Sequence, residues 1–287
     1  MRRFLALALP VVLLLSGCGG GGELAEDKKL HVVATAYPLF EAVAAVGGDR
    51  VHAVNASPLD AFGALTPAMV EKLRAADVVV TLGQGAQPEV DAALGGRASG
   101  VVRVLDDLPT RAAVPGEDVR GALDPFVWLD PLAMSAIVDR VRNVLADVEP
   151  LQAAKFQKRA KGYQKMLAGI DLNYSRGLRS CERKEFVSRD PRFQYLADRY
   201  GLTQVAVGTD AELAGAIARY RPTTVFLRDL PSVADARAIE GSLGVRVSTL
   251  DTAVDQTDQA RRAGSGYGTV MDLDLQALQA ALGCRMP

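Results

Sequence analysis

Residues 149 to 179 carry the pattern that most restricts the fold. Phe156, Ala160, Tyr163, Leu167, Ile170, Tyr174 and Leu178 recur every three or four positions, with lysines and arginines between them. This spacing predicts one amphipathic helix, about 45 Å long at 1.5 Å per residue. Gly162, Gly169 and Gly177 lower its intrinsic propensity, so packing along the apolar stripe must hold it together. A helix of that length is more than one small lobe needs, which makes it a connector between two bodies.

The flanking sequence agrees. Before the helix, Leu30 to Thr35, Val51 to Val54 and Val78 to Leu82 read as buried strands, with helical stretches at Leu39 to Val46 and Thr66 to Ala76. After it, strands are predicted at Glu185 to Ser188, Gln204 to Val207, Thr224 to Leu227 and Val245 to Leu250. Helices are predicted there at Phe193 to Tyr200, Ala211 to Tyr220 and Ser232 to Leu243. Strand and helix alternating at this spacing argue for parallel sheets covered on both faces. The expected class is α/β, with two parallel-sheet lobes, residues 28–148 and 180–287, joined by one long helix, 149–179.

The amino end reads as an export signal. Arg2 and Arg3 precede an apolar stretch from Phe4 to Leu15, and Leu15-Ser16-Gly17-Cys18 resembles a lipobox, in which cleavage precedes a lipidated cysteine. The expected division is a signal peptide at 1–17 and a lipidated Cys18 with a flexible tether through 27. The protein is therefore expected on the extracytoplasmic face of the cell membrane. In that oxidising space Cys181 and Cys284 are a candidate disulfide pair, closing a loop of about a hundred residues. With 33 basic and 34 acidic side chains there is no field to attract nucleic acid.

Several motifs carry a resemblance. They are Ala36-Tyr37-Pro38-Leu39, Gly48-Asp49-Arg50-Val51, Ala75 to Val80, Asp124-Pro125-Phe126-Val127-Trp128-Leu129-Asp130-Pro131, and Tyr195 to Leu202. Together they resemble the substrate-binding lipoproteins that feed zinc and manganese to bacterial ABC importers, along almost the whole mature chain. The resemblance implies a monomeric, lipid-anchored binding protein that hands cargo to an ABC permease and catalyses nothing. It also implies a zinc or manganese site between the lobes, built from imidazoles and carboxylates.

The ligand positions depart from that pattern. The first family histidine falls in Ser57 to Phe62, at Ala61; the second falls at Phe126 and the third at Arg189. Only the last ligand, an aspartate, is retained, as Asp251. The chain's two histidines, His31 and His52, lie on the first two strands and read as structural or surface residues. Arg228 stands where relatives carry a glutamate. A guanidinium about 5 Å from a divalent ion costs roughly 6–7 kcal/mol at an effective dielectric near 20. Arg189, with Arg228, is therefore expected to pair with Asp251 in place of a cation, with Asp60 and Asp190 as further cleft charges.

Other chemistry finds less support. No Gly-x-Ser-x-Gly elbow is present, and Gly83-Gln84-Gly85 lacks the third glycine and the position of a dinucleotide loop. An oxygen-only ion site from Asp60, Asp124, Asp130, Asp190 and Asp251 is an alternative, although Asp130 before Pro131 reads as a helix N-cap. The favoured reading is a binding protein of the zinc and manganese importer type with its metal ligands largely replaced. The alternative is a paralogue of the same fold that binds a protein partner or an anionic ligand.

Overall fold

A computed structural model describes residues 29–56, 63–114, 120–229, 232–254, 256 and 263–285. Its strands form two four-stranded parallel sheets. The first comprises β1 (Leu30–Ala34), β2 (Val51–Asn55), β3 (Val78–Thr81) and β4 (Val101–Arg103), in the order β2-β1-β3-β4. The second repeats that order as β6-β5-β7-β8, from β5 (Glu185–Ser188), β6 (Thr203–Ala206), β7 (Thr224–Leu227) and β8 (Arg246–Thr249). Side chains alternate across the pleat. Val32, Val80, Phe186 and Phe226 enter a core shared by both lobes, whereas Val33 with Val79, and Val187 with Val225, enter two separate outer clusters.

The helices of the first lobe are α1 (Tyr37–Gly47), α2 (Pro67–Ala75), α3 (Pro88–Leu94) and α4 (Pro131–Val148). The connector is α5 (Ala153–Gly177), and α6 (Gln194–Arg199), α7 (Asp210–Tyr220), α8 (Val233–Leu243) and α9 (Tyr267–Leu282) follow it. Their starts are chemically marked. Thr66 and Asp130 accept the N–H groups of Met69 and Leu132 ahead of Pro67 and Pro131, and Thr209 with Glu212 forms a capping box on α7.

The connector is shorter than its apolar pattern. Pro150, Leu151 and Gln152 form a 3-10 turn, and the α-helix begins at Ala153. Before the turn, α4 runs 18 residues and packs along α5, so the connector is one arm of a helical hairpin. Phe156, Ala160, Leu167, Ile170 and Tyr174 are buried, which places the predicted stripe against both lobes. The three glycines differ. A Cβ at Gly177 would meet Gln279 Nε2 at 2.4 Å, whereas one at Gly162 or Gly169 would meet nothing within 4 Å. Gly162→Ala and Gly169→Ala should each stabilise the chain by about 0.5–1 kcal/mol in denaturant unfolding, because helical glycine carries excess backbone entropy.

Cys181 and Cys284 are disulfide-bonded across 103 positions and lie on an isolated antiparallel bridge. The bond anchors the end of α9 beside the start of the second sheet. Loop-entropy reasoning puts the upper value of such a link at about 4–5 kcal/mol.

Candidate metal centre

Three Asp-Pro pairs shape the junction of the lobes by one local device. Oδ1 of Asp124, of Asp130 and of Asp190 accepts the N–H two residues on, from Phe126 at 2.8 Å, Leu132 at 2.8 Å and Arg192 at 3.1 Å. These are Asx turns, with proline supplying the fixed φ in the middle. The first presents Phe126, the second opens α4, and the third presents Arg192.

Phe126 is fully buried, as are Val127, Trp128 and Leu129 of the 3-10 turn behind it. Its ring meets Trp128 edge to face at 5.5 Å between centroids, and on its face lies the guanidinium of Arg192, 5.2 Å from the centroid. Arg192 also forks onto Asp190: Nε donates to Oδ1 at 2.7 Å and to Oδ2 at 3.0 Å, and Nη2 binds Oδ2 as well. The two side chains are only 13% and 2% exposed. A desolvated cation over an aromatic face is worth about 2 kcal/mol, and a bidentate pair is the arrangement that makes burying both charges tolerable.

This corrects the expected pairing. Arg189 does not reach Asp251. Its Nη2 binds Asp210 at the start of α7, and its N–H donates to the Phe226 carbonyl at 2.8 Å. Asp251 is exposed and locally engaged, with Oδ1 accepting from Ala253 N–H at 2.7 Å and Oδ2 from Gln256 at 2.9 Å. Arg228 is exposed just past the end of β7. Asp190 is buried and is paired with Arg192, a cation that sequence reasoning did not single out. Ala61, Asp60 and Cys18 lie outside the described residues.

The oxygen-only alternative also fails among the described residues. Asp124 is committed to Phe126 N–H and, through Oδ2, to Gln194 at 3.2 Å, while Asp130 caps α4. No group of three or more His, Cys, Asp or Glu is arranged there to hold an ion. A groove of about 920 Å³ opens nearby, lined by Arg111, Asp130, Leu132, Tyr195 and Arg199 among others, but none of Phe126, Arg189 and Asp251 borders it.

The retained aspartate is supported from below by Asp274 of α9, whose Oδ1 accepts the Asp251 N–H at 2.9 Å. The other Asp274 oxygen has no hydrogen-bond partner among the described residues. Burial pushes this carboxyl well above the ordinary range, the Asp251 N–H pulls it back in part, and the Asp251 charge pushes it up further. An acid whose pKa is raised by folding costs nothing while both states are protonated, below about pH 4. As pH rises, the unfolded chain gives up its proton first, and stability falls until the folded carboxyl ionises. Asp274→Asn keeps an acceptor for Asp251 and removes this loss. Melting curves across pH should show the variant above the wild type at pH 8 and level with it near pH 4.

Comparison with known proteins places these features. The family model for the periplasmic component A of the zinc-uptake complex, ZnuA, matches residues 32–281. The zinc-binding lipoprotein AdcA of Streptococcus pneumoniae is 27% identical over 96% of the chain, which spans only 60% of AdcA's length. The high-affinity zinc uptake system protein ZnuA of Bacillus subtilis is 24% identical over 94% of both chains. Among solved structures, Zn(II)-bound AdcA from Streptococcus pneumoniae superposes with a TM-score of 0.80 at 25% identity, over 91% of this chain and 59% of that one. The Bacillus subtilis metal-dependent lipoprotein YcdH gives 0.78 at 24% identity, over 88% and 99% of the two chains, and so supports the fold. AdcA and ZnuA are zinc-binding and zinc-uptake proteins, not enzymes.

Proposed function

The chain belongs to the ZnuA family of periplasmic zinc-uptake components, and from that premise we propose that it is the extracytoplasmic binding component of a zinc-type ABC importer whose cation place is taken by its own Arg192. The observation that carries this reading is the guanidinium of Arg192, laid on Phe126 and forked onto buried Asp190. Phe126 and Arg189 occupy the positions of family imidazoles, and neither side chain offers a lone pair to zinc. The inherited place therefore holds an internal ion pair whose carboxylate is already committed to Arg192 and is not a donor open to an added divalent ion. Cys18 anchors the chain to the membrane through lipid, and the folded body works as a monomer beside an ABC permease.

Two α/β lobes braced by α5, with a junction already neutralised by an ion pair, form a body that reaches its closed shape without cargo. The relatives favour transport over the partner-binding or anion-binding alternative. The test is stimulation of the ATPase of a zinc-type ABC permease in lipid nanodiscs by the metal-free chain. Stimulation of equal size with and without zinc is expected. Stimulation only with zinc would remove the internal-cation reading, and no stimulation under either condition would remove the transport reading.

A further inference from the structure

The two histidines of the chain, scattered in sequence, are neighbours in the fold. The parallel register of β1 and β2 sets His31 directly opposite His52, and both are exposed. Their ring centroids lie 5.3 Å apart with planes at 70°. Both rings line a pocket of about 360 Å³ with Val33, Val54, Lys72 and Ala75. We propose that His31 and His52 form a two-imidazole binding site for a borderline transition-metal ion, Cu²⁺ foremost and Zn²⁺ more weakly.

The spacing suits that chemistry. With metal–nitrogen bonds of about 2.0–2.1 Å, two imidazoles on one tetrahedral ion place their ring centres roughly 5 Å apart. The rings therefore need to turn, not to travel. The His31 backbone is held firmly, since its N–H donates to Asp77 Oδ2 at 2.8 Å and its carbonyl accepts from Asp77 N–H at 2.9 Å, and the sheet register holds His52 opposite it. A pair of ligands on adjacent strands is better preorganised than a pair on loops.

No third protein ligand joins them among the described residues, so water completes the coordination and the ion exchanges readily. Affinity should follow the divalent order, with copper strongest. Among the described residues Lys72 is the cationic lysine or arginine side chain that borders the pocket, and it opposes the bound charge. The site is separate from the lobe junction. His31 and His52 are second residues of their strands, at the amino end of the sheet, whereas Asp190 and Asp251 follow the carboxyl ends of β5 and β8.

The experiment titrates Cu²⁺, and separately Zn²⁺, into the chelated, tag-free chain by calorimetry, with electron paramagnetic resonance of the copper form. One Cu²⁺ per chain with a two-nitrogen signature is expected. His31→Gln and His52→Gln should each weaken it at least tenfold with melting temperature unchanged, and Lys72→Gln should tighten it several-fold. Arg192 and Phe126 variants should leave it unaltered, which keeps this site independent of the importer reading. Copper binding of wild-type strength in the double histidine variant, or no binding by the wild type at micromolar copper, would overturn the proposal.

Discussion

Replacing Asp190 with alanine lowers the stability of the chain by about 3–5 kcal/mol, the usual cost of removing one partner from a buried ion pair. Arg192, 13% exposed on an aromatic ring, would lose the Asp190 carboxylate that receives its fork. The substitution also removes the acceptor of the Arg192 N–H, at 3.1 Å, and so loosens the turn that aims the guanidinium. For a chain of this size each kcal/mol moves the melting temperature by about 2–4 °C, so the expected drop is on the order of ten degrees. Adding Arg192→Met to Asp190→Ala should recover much of the loss, because an apolar side chain on Phe126 leaves no charge stranded. A drop under about 1 kcal/mol for Asp190→Ala would mean that the pair behaves as a solvated surface bridge.

Trp128→Ala should cost a similar amount, about 3–5 kcal/mol for the lost ring and its cavity. Trp128 is fully buried, and its indole N–H donates to the Thr252 carbonyl at 2.8 Å. Its own carbonyl accepts the Tyr267 hydroxyl at 2.6 Å. One side chain thus ties the turn carrying Phe126 to the loop carrying Asp251 and, through its backbone, to α9. Trp128→Phe separates the contributions. It keeps most of the apolar volume and orphans the Thr252 carbonyl, which should cost about 1–3 kcal/mol. Denaturant unfolding of the two variants checks the difference. As the sole tryptophan of the chain, Trp128 also reports on the junction by fluorescence, and its emission should shift to longer wavelength in Asp190→Ala.

All four strands of the second sheet and three of the first are legible because they are short apolar runs bounded by turns, and Val78 to Thr81 and Thr224 to Leu227 need no distant information. β4 escaped: its three residues are each half-buried, too short a run for any period. The connector was legible as an amphipathic stripe but not in its start, since Pro150 fixes a 3-10 turn while the apolar repeat runs on from it. The loss of imidazoles was readable directly, from Phe126 and Arg189 standing in family positions. Which arginine would meet which aspartate was not. Arg189 lies in the ligand motif, yet it follows β5 toward Asp210. Arg192 was reachable by the rule that identified Asp130, because Asp190-Pro191-Arg192 repeats the Asp-Pro turn. Its stacking on Phe126, 66 positions away, comes only from the closing of the lobes.

The most direct test of an internally filled cation place is a calorimetric zinc titration of the chelated His31→Gln/His52→Gln chain, from which every imidazole has been removed. No site tighter than micromolar is expected, because Arg192 and Asp190 neutralise each other at the junction and no set of three ligands converges among the described residues. One equivalent of zinc bound at submicromolar concentration would contradict the account, placing a working zinc site where the guanidinium is seated.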